Sequence, residues 1–509
     1  MRRTHLVRND QNREAAVRID TGQFNLYMVL SSIANMQDIV VITNNYVGDF
    51  VRKYLNDRII VWASLAALLF YVVFYGINIS HGFLLVPVSL SLGILLTPFF
   101  LIDVLKTVIE TLTRKHFYSG DQELEKITVI IPSNDGAAVL RYTLRDLLNR
   151  FRAEQIIVSS NGSTDETAKI ARRAGVRIIE TKEKIGKVNA INIALKEVRT
   201  KYTLIMDDDV LIGESVIPTN PLGSDYSGVA FRVYPAVKNW LTKIQAYEYR
   251  KSMDIGRAFH NTNATVSTIS GAIGLFETKE LKRQILLHTG EFCGEDLQRT
   301  LLIHLSKENH GVVIADSIVK TVAPSSINSL FRQRVLGWSP GMYANFPNFM
   351  KIIFQRKTPL ALRYDALYYS VFVTLTDPLR LLAFPVLIFN PSVAAILYVT
   401  YVALESIPYF VLKRKDPYWV VLTFPFYGIF NFVARIIAFP VFLYRRLLVR
   451  FAKMENLDDY RTADLRHRFY GLYATQFVVM FLIALILLLS KPAIAADLAE
   501  NFYTKFPRL

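Results

Sequence analysis

Long stretches without a single charged residue constrain this chain more than any other feature of its sequence. Ile59–Ile79 and Gly82–Ile102 are both uncharged, and the two polar residues Ser80 and His81 separate them. Each stretch is long enough to cross a hydrocarbon core of about 30 Å as a helix. Basic residues flank the pair on both sides: Arg52, Lys53 and Arg58 precede it, and Lys106, Arg114 and Lys115 follow it. The positive-inside rule therefore predicts a transmembrane hairpin with both ends in the cytoplasm.

Further apolar stretches follow in the second half of the chain: Ala366–Phe389, Val393–Leu412, Tyr418–Tyr444 and Phe469–Leu489. The third contains Pro425, Arg435 and Pro440, and Arg445 would lie outside the cytoplasm if this stretch crossed completely. Two interpretations stay open for it, a full crossing or a re-entrant or interfacial segment. We therefore predict five or six spans, and the side of the C-terminus depends on that choice. Residues 345–365 mix apolar with basic side chains, which indicates an amphipathic helix at the membrane surface.

The composition agrees with a membrane protein. The chain has 509 residues, of which 52% are hydrophobic and 20% are charged, and this apolar content excludes a disordered chain. The net charge of +16 is compatible with a nucleic-acid partner, but basic cytoplasmic loops explain it better, so we expect no nucleic-acid partner. The single cysteine, Cys293, excludes a disulfide framework and a cysteine-ligated metal.

Charged residues return between the two apolar regions, where short apolar strands alternate with amphipathic helices. This alternation predicts a soluble α/β domain on the cytoplasmic side. No secretory signal peptide is visible at the N-terminus. The predicted order is a cytoplasmic segment 1–58, a transmembrane hairpin 59–105, the α/β domain 126–341, an interfacial helix 345–365, a membrane region 366–489 and a tail 490–509.

Polar residues follow the first two strands of the α/β domain. The buried strand Thr128–Pro132 leads into Asn134 and Asp135, and the strand Gln155–Ser159 leads into a turn over residues 160–166. Turns of this kind lie at the carboxyl edge of a sheet, where ligands bind in α/β folds. The alternative is that the second turn only caps the following helix.

Two further segments have features of a phosphate and cation site. Gly186 and Lys187 open a helix whose N-terminus could hold a phosphate, although the Walker pattern is missing. The apolar strand Tyr202–Met206 runs directly into Asp207–Asp209, and the first and third of these acids point the same way on an extended chain. Paired carboxylates at a strand end suit Mg²⁺ or Mn²⁺ bound together with phosphates. A solvated surface turn is the alternative.

Three segments near the end of the domain also have features of a functional site. Ser270 and Gly271 belong to a run of small residues that would let a sugar or another backbone approach closely. Glu295 and Asp296 open an apolar helix, where Asp296 could instead be an ordinary cap. The segment Arg332–Trp338 combines cations with an indole, a pattern also found in ordinary residues near a membrane.

Taken in order, these motifs resemble the family-2 membrane glycosyltransferases with a GT-A fold, the group of hyaluronan, cellulose and chitin synthases. The matches are Pro-x-Asn, Gly-Ser-Thr-Asp, Gly-Lys, Asp-x-Asp, Ser-Gly, Gly-Glu-Asp and a terminal Arg/Gln–Trp, over about Thr128–Gly341. No one of them is decisive, but seven in the expected order are hard to obtain by chance. The resemblance implies a Rossmann-like α/β GT-A domain inserted between transmembrane helices.

The resemblance also implies a role for each matched residue. The nucleotide and donor would be bound by Asn134, Asp135, Asp165, Lys187 and Asp207, the metal (Mg²⁺ or Mn²⁺) by Asp207 and Asp209, and the acceptor and diphosphate by Ser270, Gly271, Glu295, Gln333, Arg334 and Trp338. Asp296 would be the general base that takes the proton from the acceptor hydroxyl. A metal cation and an aromatic face would stabilise the diphosphate leaving group and hold the sugar.

The sequence departs from the family pattern at two places. Ser160-Asn161 stands where family members carry an acidic residue that helps to hold uracil, so a UDP-sugar is favoured as the donor but a GDP-sugar stays an alternative. In the terminal motif, Gly337 occupies the usual Arg position and Arg334 the usual Gln position. Either the cation has moved by one helical turn or the acceptor is held differently.

The implied function is a processive inverting transfer of sugars that builds a β-linked polysaccharide and moves it across the inner membrane. The alternatives are transfer of one sugar to a membrane lipid and, less favoured, a transporter with a nucleotide-sensing domain. The implied partners are a nucleotide sugar, the growing glycan and the lipid bilayer. Asp377, Pro378 and Arg380 lie within a predicted span, where they would line the polymer channel or form a buried structural pair.

Overall fold

A computed structural model describes residues 122–219, 226–288, 294–306, 311–373, 391–413 and 415–452. Several predicted segments lie outside the described residues: 1–58, the hairpin 59–105, residues 374–390 of the first C-terminal span together with Asp377, Pro378 and Arg380, the stretch Phe469–Leu489, and the tail 490–509.

A seven-stranded mixed sheet forms the centre of the α/β domain. Its strands are β1 (Ile127–Ser133), β2 (Ile156–Asn161), β3 (Arg177–Thr181), β4 (Tyr202–Met206), β5 (Gly228–Pro235), β6 (Ile273–Glu277) and β7 (Val312–Thr321). They lie side by side in the order β3-β2-β1-β4-β6-β5-β7. β1 pairs in parallel with β2 and β4, β6 runs antiparallel to β4 and β5, and β7 is parallel to β5.

The central strands are covered on both faces. Every residue of β1, β2 and β4 is buried, and consecutive residues of a strand point to opposite faces of the sheet. The apolar runs in the sequence are continuous for this reason. The helices of this domain are α1 (Ala137–Leu148), α2 (Thr167–Arg173), α3 (Lys187–Lys196), α4 (Trp240–Lys251), α5 (Thr278–Ile285) and α6 (Glu295–Leu305). The sheet and its helices confirm the predicted α/β architecture.

The chain returns to one edge of the sheet after β1, β2 and β4. These strands are parallel, so their carboxyl ends and the loops that follow them meet there. β6 runs in the opposite direction, and the backbone amide of Asp207 donates to the carbonyl of Ala272 at 2.8 Å just before that strand begins. The segment around Ser270 and Gly271 is thereby fixed at the same edge as the acids that follow β4.

Six α-helices follow the sheet within the described residues: α7 (Ile327–Gln333), α8 (Ser339–Ala344), α9 (Phe346–Phe354), α10 (Leu360–Leu367), α11 (Pro391–Val411) and α12 (Trp419–Ala452). Residues 345–365 were predicted as one interfacial helix, and the structure divides them into α9 and most of α10. The break has a local cause, because Pro359 caps α10 and disfavours a helical conformation at Thr358 before it.

Two of the helices are long and apolar enough to cross a membrane, over Ala394–Val411 of α11 and Trp419–Phe439 of α12. α12 is continuous across Pro425 and Pro440. α4 packs against both. Tyr247 donates to the fully buried Glu405 of α11 at 2.8 Å, and Arg250 donates to Asp416, in the loop between α11 and α12, at 3.0 Å. The α/β domain is therefore attached to these helices through buried polar contacts as well as apolar packing.

Candidate active site

The three acids after β4 have different partners. The middle one, Asp208, turns back into the domain, where its carboxylate accepts from Ser133 and its carbonyl accepts from Thr143 at 2.6 Å. A Cβ on Gly136 would lie 2.0 Å from Oδ2 of Asp208, so a side chain there would displace this carboxylate. Asp207 instead reaches Lys187, and Asp209 accepts a hydrogen bond of 3.3 Å from Thr321.

Lys187 joins two of the motifs. Its ammonium lies 2.7 Å from Oδ1 of Asp207 and 2.7 Å from Oε1 of Glu295, and it also donates to the carbonyl of Gly271 at 3.4 Å. Burial acts to lower the pKa of Lys187, but the two carboxylates outweigh it and raise the pKa. The lysine is therefore held in its charged form between the acids of β4 and those of α6.

The acids after β4 fit a divalent cation. Burial, together with the charges of Asp207 and Asp208, raises the pKa of Asp209 to about 6. Within the described residues no group of three or more acidic, histidine or cysteine side chains forms a closed metal shell. Magnesium typically takes only one or two carboxylates from a protein and completes its shell with phosphates and water. An open pair such as Asp207 and Asp209 fits that donor set.

The carboxylate of Asp296 is held at the start of α6. Its Oδ2 accepts from the backbone amide of Gly271 at 2.8 Å, and its Oδ1 accepts from the amide of Leu297 at 2.8 Å. A Cβ on Gly271 would lie 3.3 Å from Oδ2, which is close, so a small residue favours this approach. Ser270 turns its hydroxyl to the amide of Ala272 at 3.4 Å. The run of small residues thus brings its backbone to the carboxylate of Asp296.

Two adjacent carboxylates have opposite electrostatic surroundings. Burial acts to raise the pKa of Glu295, but the charge of Lys187 beside it lowers the pKa overall. Burial and the negative charge of Glu295 raise the pKa of Asp296, and the positive charge of Lys187 only partly offsets this. A pair of acids with separated pKa values is typical of sites in which one carboxylate stays charged and the other exchanges a proton.

The predicted nucleotide residues connect the turns after β1 and β2. The amide nitrogen of Asn134 donates to the carbonyl of Asn161 at 2.9 Å, and Asp135 accepts from the amide of Thr164 at 2.7 Å. Asp165 accepts from the backbone amides of Ala137 and Thr167, both at 2.9 Å, at the starts of α1 and α2. These side chains lie together at the carboxyl edge. Many of their hydrogen-bonding groups are already used in contacts that join the two turns.

The terminal motif packs against α4 and α12. The guanidinium of Arg334 is buried; its Nη2 donates to Glu248 of α4 at 2.6 Å and to the hydroxyl of Tyr427 of α12 at 2.8 Å. Its central carbon lies 3.6 Å from the ring centre of Trp338, whose side chain is 46% exposed. Oε1 of the neighbouring Gln333 is buried without a hydrogen-bond partner in the described part of the chain. Arg334 therefore holds an exposed indole in place.

The sequence did not point to several residues of this region. Lys184 donates to Oδ1 of Asn134, and Glu248 and Tyr427 complete the contacts of Arg334. The ring of Tyr249 lies 6.0 Å from that of Trp338. Glu248 and Tyr249 occur in an ordinary amphipathic helix and Tyr427 in an apolar one, so no sequence signal distinguishes them. Lys184 could have been found, because it stands in the same loop as Gly186 and Lys187.

Comparison with known proteins agrees with this geometry. Residues 128–276 match the family described as Glycosyl transferase family 2, a range that begins in β1 and ends in β6. The matched part carries a glycosyl transferase family 2 domain. The family resemblance predicted from the motifs is thereby confirmed.

Curated relatives are similar at low identity. A poly-beta-1,6-N-acetyl-D-glucosamine synthase of Staphylococcus epidermidis is 24% identical over 236 residues, which cover 44% of this chain and 56% of that protein. The synthase of the same name from Staphylococcus aureus is 24% identical over 234 residues, covering 43% and 55%. The chain therefore spans about half the length of the curated relatives it matches.

Solved structures give a looser similarity. A mannosyltransferase of Pyrobaculum calidifontis, in complex with GDP-Man and Mn²⁺, is 17% identical with a TM-score of 0.46 and covers 69% of this chain and 99% of its own. A glucosyl-3-phosphoglycerate synthase of Mycobacterium tuberculosis, in complex with Mn²⁺ and UDP, is 15% identical with a TM-score of 0.26 and covers 40% and 74%.

Proposed function

We propose that this protein is a membrane-bound inverting glycosyltransferase that transfers sugars from a nucleotide sugar to a growing β-linked polysaccharide. The convergence of three segments on Lys187 carries the proposal, because Asp207 after β4, the carbonyl of Gly271 and Glu295 at the start of α6 all contact this lysine. Transfer of a sugar needs these parts together: a cationic place for a diphosphate and a base for the acceptor hydroxyl.

Asp296 is proposed as the general base. Its raised pKa favours proton uptake, and the amide of Gly271 fixes its orientation. In the reaction, Asp296 takes the proton of the acceptor hydroxyl while the oxygen forms a bond to the anomeric carbon. The bond from that carbon to the diphosphate breaks, and the diphosphate leaves with the electron pair. Attack from the face opposite the leaving group inverts the anomeric centre and gives a β linkage from an α-linked donor.

The diphosphate end of the donor is proposed to lie at Asp207, Asp209 and Lys187. A bound Mg²⁺ or Mn²⁺ would supply positive charge for the leaving phosphates, held by the two aspartates. Lys187 is charged and its side chain is 32% exposed, and it would exchange its contact with Asp207 for a phosphate oxygen. Asn134, Asp135 and Asp165 would then border the nucleoside, for which a UDP-sugar is favoured and a GDP-sugar is the alternative.

Trp338, together with Gln333, is proposed to hold the acceptor, while Arg334 keeps the indole in position. Aromatic rings offer a flat apolar face to a sugar, and Trp338 is exposed enough to do so. The name of the staphylococcal relatives favours an N-acetylglucosamine polymer with β-1,6 linkages as the product. The membrane helices next to Arg334 favour processive synthesis with export across the inner membrane, with the catalytic domain in the cytoplasm.

The test is an assay on membranes that contain the protein. Labelled UDP-N-acetylglucosamine, other UDP-sugars and GDP-sugars would each be added with Mg²⁺ or Mn²⁺, and the size of the product would be measured. A long polymer is expected. A single sugar in the lipid fraction would favour transfer to a membrane lipid instead, and the absence of turnover with every donor would favour the transporter interpretation.

A further inference from the structure

One long face of α12 packs against α4, α7, α8 and the turn between α7 and α8. The residues of this face recur every three or four positions: Val420, Phe424, Tyr427, Asn431, Ala434, Ala438 and Phe442. Residues with this spacing share one side of an α-helix. Because a helix rises about 1.5 Å per residue, the packed face is about 33 Å long, close to the thickness of the hydrocarbon core of a bilayer.

Polar contacts hold this face of α12 at several points along its length. Tyr427 donates to Oε2 of Glu248 in α4 at 2.8 Å, and Asn431 reaches the other carboxylate oxygen, Oε1, at 3.5 Å. Farther along, the backbone carbonyl of Arg435 accepts from the hydroxyl of Tyr343 in α8 at 3.0 Å. The rest of the protein therefore follows α12 along this stretch and does not contact one end of it alone.

The opposite face of α12 is apolar and exposed. Four large side chains between 38% and 62% exposed form a row there: Trp419, Leu422, Phe426 and Ile429. Successive residues of a helix are turned by about 100°, so this row and the packed face lie on opposite sides of α12. An exposed row of large apolar side chains marks an interaction surface.

A full crossing by α12 would place charged and irregular parts of the protein in the hydrocarbon core. Arg332 of α7 is exposed, and Phe331 before it lies 6.1 Å, ring to ring, from Phe430 of α12. Gln245 of α4 donates at 2.8 Å to the carbonyl of Pro324, in the loop between β7 and α7. Charged side chains and irregular backbone are both unfavourable when they face lipid chains. The contacts of α12 with α4 and α7 therefore favour a helix that lies outside the core.

We propose that α12 lies along the cytoplasmic surface of the bilayer, with its exposed apolar row in the lipid interface and its other face against α4, α7 and α8. The partner of this surface is a lipid bilayer, which fits a helix with one apolar face. Of the two interpretations of Tyr418–Tyr444, the proposal selects the interfacial one. Arg445 and Arg446 then stay on the cytoplasmic side, in agreement with the positive-inside rule. The inference rests on the membrane attachment in the proposed function and not on its chemistry.

The first experiment compares the two ends of α12 in the full chain. Cys293→Ser provides a background without cysteine, because Cys293 is the single cysteine of the sequence. Lys415→Cys and Arg446→Cys are added one at a time, and sealed membrane vesicles of each orientation are treated with a membrane-impermeant maleimide. Both cysteines should react from the cytoplasmic side. Reaction from opposite sides would overturn the inference, as would protection of Arg446→Cys from both sides.

The second experiment measures the depth of the exposed row in the bilayer. Leu422→Cys, Phe426→Cys and Ile429→Cys each receive a spin label, and collisions with oxygen and with a water-soluble nickel complex give the depth in phosphatidylglycerol-containing vesicles. The three labels should lie at one depth, near the headgroups. A helix that crosses would separate Leu422 from Ile429 by about 10 Å in depth, which would overturn the inference.

Tyr142→Cys is the matched control, since Tyr142 is 60% exposed on α1 of the α/β domain. A label there should meet water and no lipid. A label at Phe426→Cys that meets neither lipid nor water would mean that protein covers the row, and this would also refute the inference. Neither experiment needs turnover, so failure of every nucleotide sugar to react would refute the proposed chemistry alone.

Discussion

The carboxylates of Glu295 and Asp296 are adjacent in the chain but have different partners: Glu295 lies 2.7 Å from the ammonium of Lys187, and Asp296 accepts from the amide of Gly271 at 2.8 Å. Glu295 is thereby held in its charged form and adds to the negative potential at Asp296. The helix start gives both residues fixed backbone positions. One acid therefore neutralises the lysine, and the other is left to accept a proton.

Replacement of Asp296 by Asn should remove transfer while keeping nucleotide binding. The amide has nearly the same shape and can still accept from Gly271, but it cannot take a proton. We expect a fall in kcat of about 100- to 10,000-fold, measured as sugar incorporated per time, and an unchanged affinity for the nucleotide. Asp316→Asn serves as the control, since that side chain is 61% exposed and pairs only with Arg232 among the described contacts. A fully active Asp296→Asn enzyme would rule out the base assignment.

Turnover should depend on a divalent cation bound through Asp209. A chelator should abolish transfer, and added Mg²⁺ or Mn²⁺ should restore it. Asp209→Asn should raise the metal concentration needed for half-maximal activity by at least about 10-fold. Removing a residue that only hydrogen-bonds to a metal ligand typically weakens metal binding by about 10- to 100-fold, and a direct carboxylate ligand contributes more than such a residue. Asp208→Asn is the comparison, since Asp208 faces Ser133 and Thr143. Activity that survives complete chelation would contradict the proposed metal site.

Asp165 stabilises the fold through its hydrogen bonds to the starts of α1 and α2. The pH dependence of the melting temperature measures this contribution separately from nucleotide binding. Burial acts to raise the pKa of Asp165, but hydrogen bonds from Thr167 and the amide of Ala137 outweigh it and lower the pKa. A carboxylate with a lowered pKa stabilises the fold above its unfolded pKa of about 3.9 and loses this effect as pH falls through the lower folded value.

The Asp165→Asn variant should therefore melt at a lower temperature than the wild type at neutral pH, by the equivalent of about 1 kcal/mol for a weakened helix cap. The difference should shrink as the pH falls below about 4. Melting curves from neutral pH down to acid conditions measure this, and the donor affinity at neutral pH measures the nucleotide role. A constant difference across the whole pH range would mean that the charge of Asp165 is not the cause.

Gly294 should tolerate no side chain, because its φ is +95° and a Cβ would lie 2.8 Å from the Cα of Gly341 in α8. Gly294→Ala should destabilise the protein by about 1–3 kcal/mol from backbone strain alone and reduce transfer further by displacing Glu295 and Asp296. Gly175→Ala is a close control: its φ is +73°, but a Cβ there would meet nothing within 4 Å. The two variants should lower the melting temperature, while only Gly294→Ala lowers kcat. Equal kcat values would show that the contact with Gly341 does not position the base.

The sequence predicted the sheet and its functional edge well, because buried runs and the polar residues after them follow from the fold itself. The strand predicted over Thr128–Pro132 is observed over Ile127–Ser133, and the acids after Met206 stand at the end of β4. Parallel pairing of β1 with β2 and β4 then brings Asn134 and Asp207 to one edge. These positions need only the local pattern and the direction of the strands.

Contacts between distant segments could not be predicted in this way. Lys187 reaches Glu295, and Arg334 reaches Glu248 and Tyr427, through side chains whose partners are set by packing of α4, α6 and α12. A single acidic residue in an amphipathic helix, such as Glu248, gives no sign in the sequence of which residue it will contact. The position of Arg334 in place of the usual Gln of Gln-x-x-Arg-Trp is explained only by its contact with Glu248 in the folded structure.

The pair of Arg334 and Glu248 should couple α12 to acceptor binding. The two side chains are 2.6 Å apart, Tyr427 contacts both, and Arg334 lies 3.6 Å from the ring of Trp338. Arg334→Lys keeps the charge but loses the flat group that stacks on the indole and binds two partners at once. We expect a higher acceptor KM and an unchanged rate of donor hydrolysis.

A double-mutant cycle with Arg334→Lys, Glu248→Gln and the combined variant would measure this coupling in kcat/KM for the acceptor. Directly contacting residues typically give an interaction energy of about 0.5–3 kcal/mol, so the effect of Arg334→Lys should be smaller when Glu248 is already Gln. Tyr427→Phe removes the hydroxyl that contacts both Arg334 and Glu248, and it should raise the acceptor KM by less than Arg334→Lys does. Strictly additive effects of Arg334→Lys and Glu248→Gln would mean that α4 and the terminal motif act on the acceptor independently.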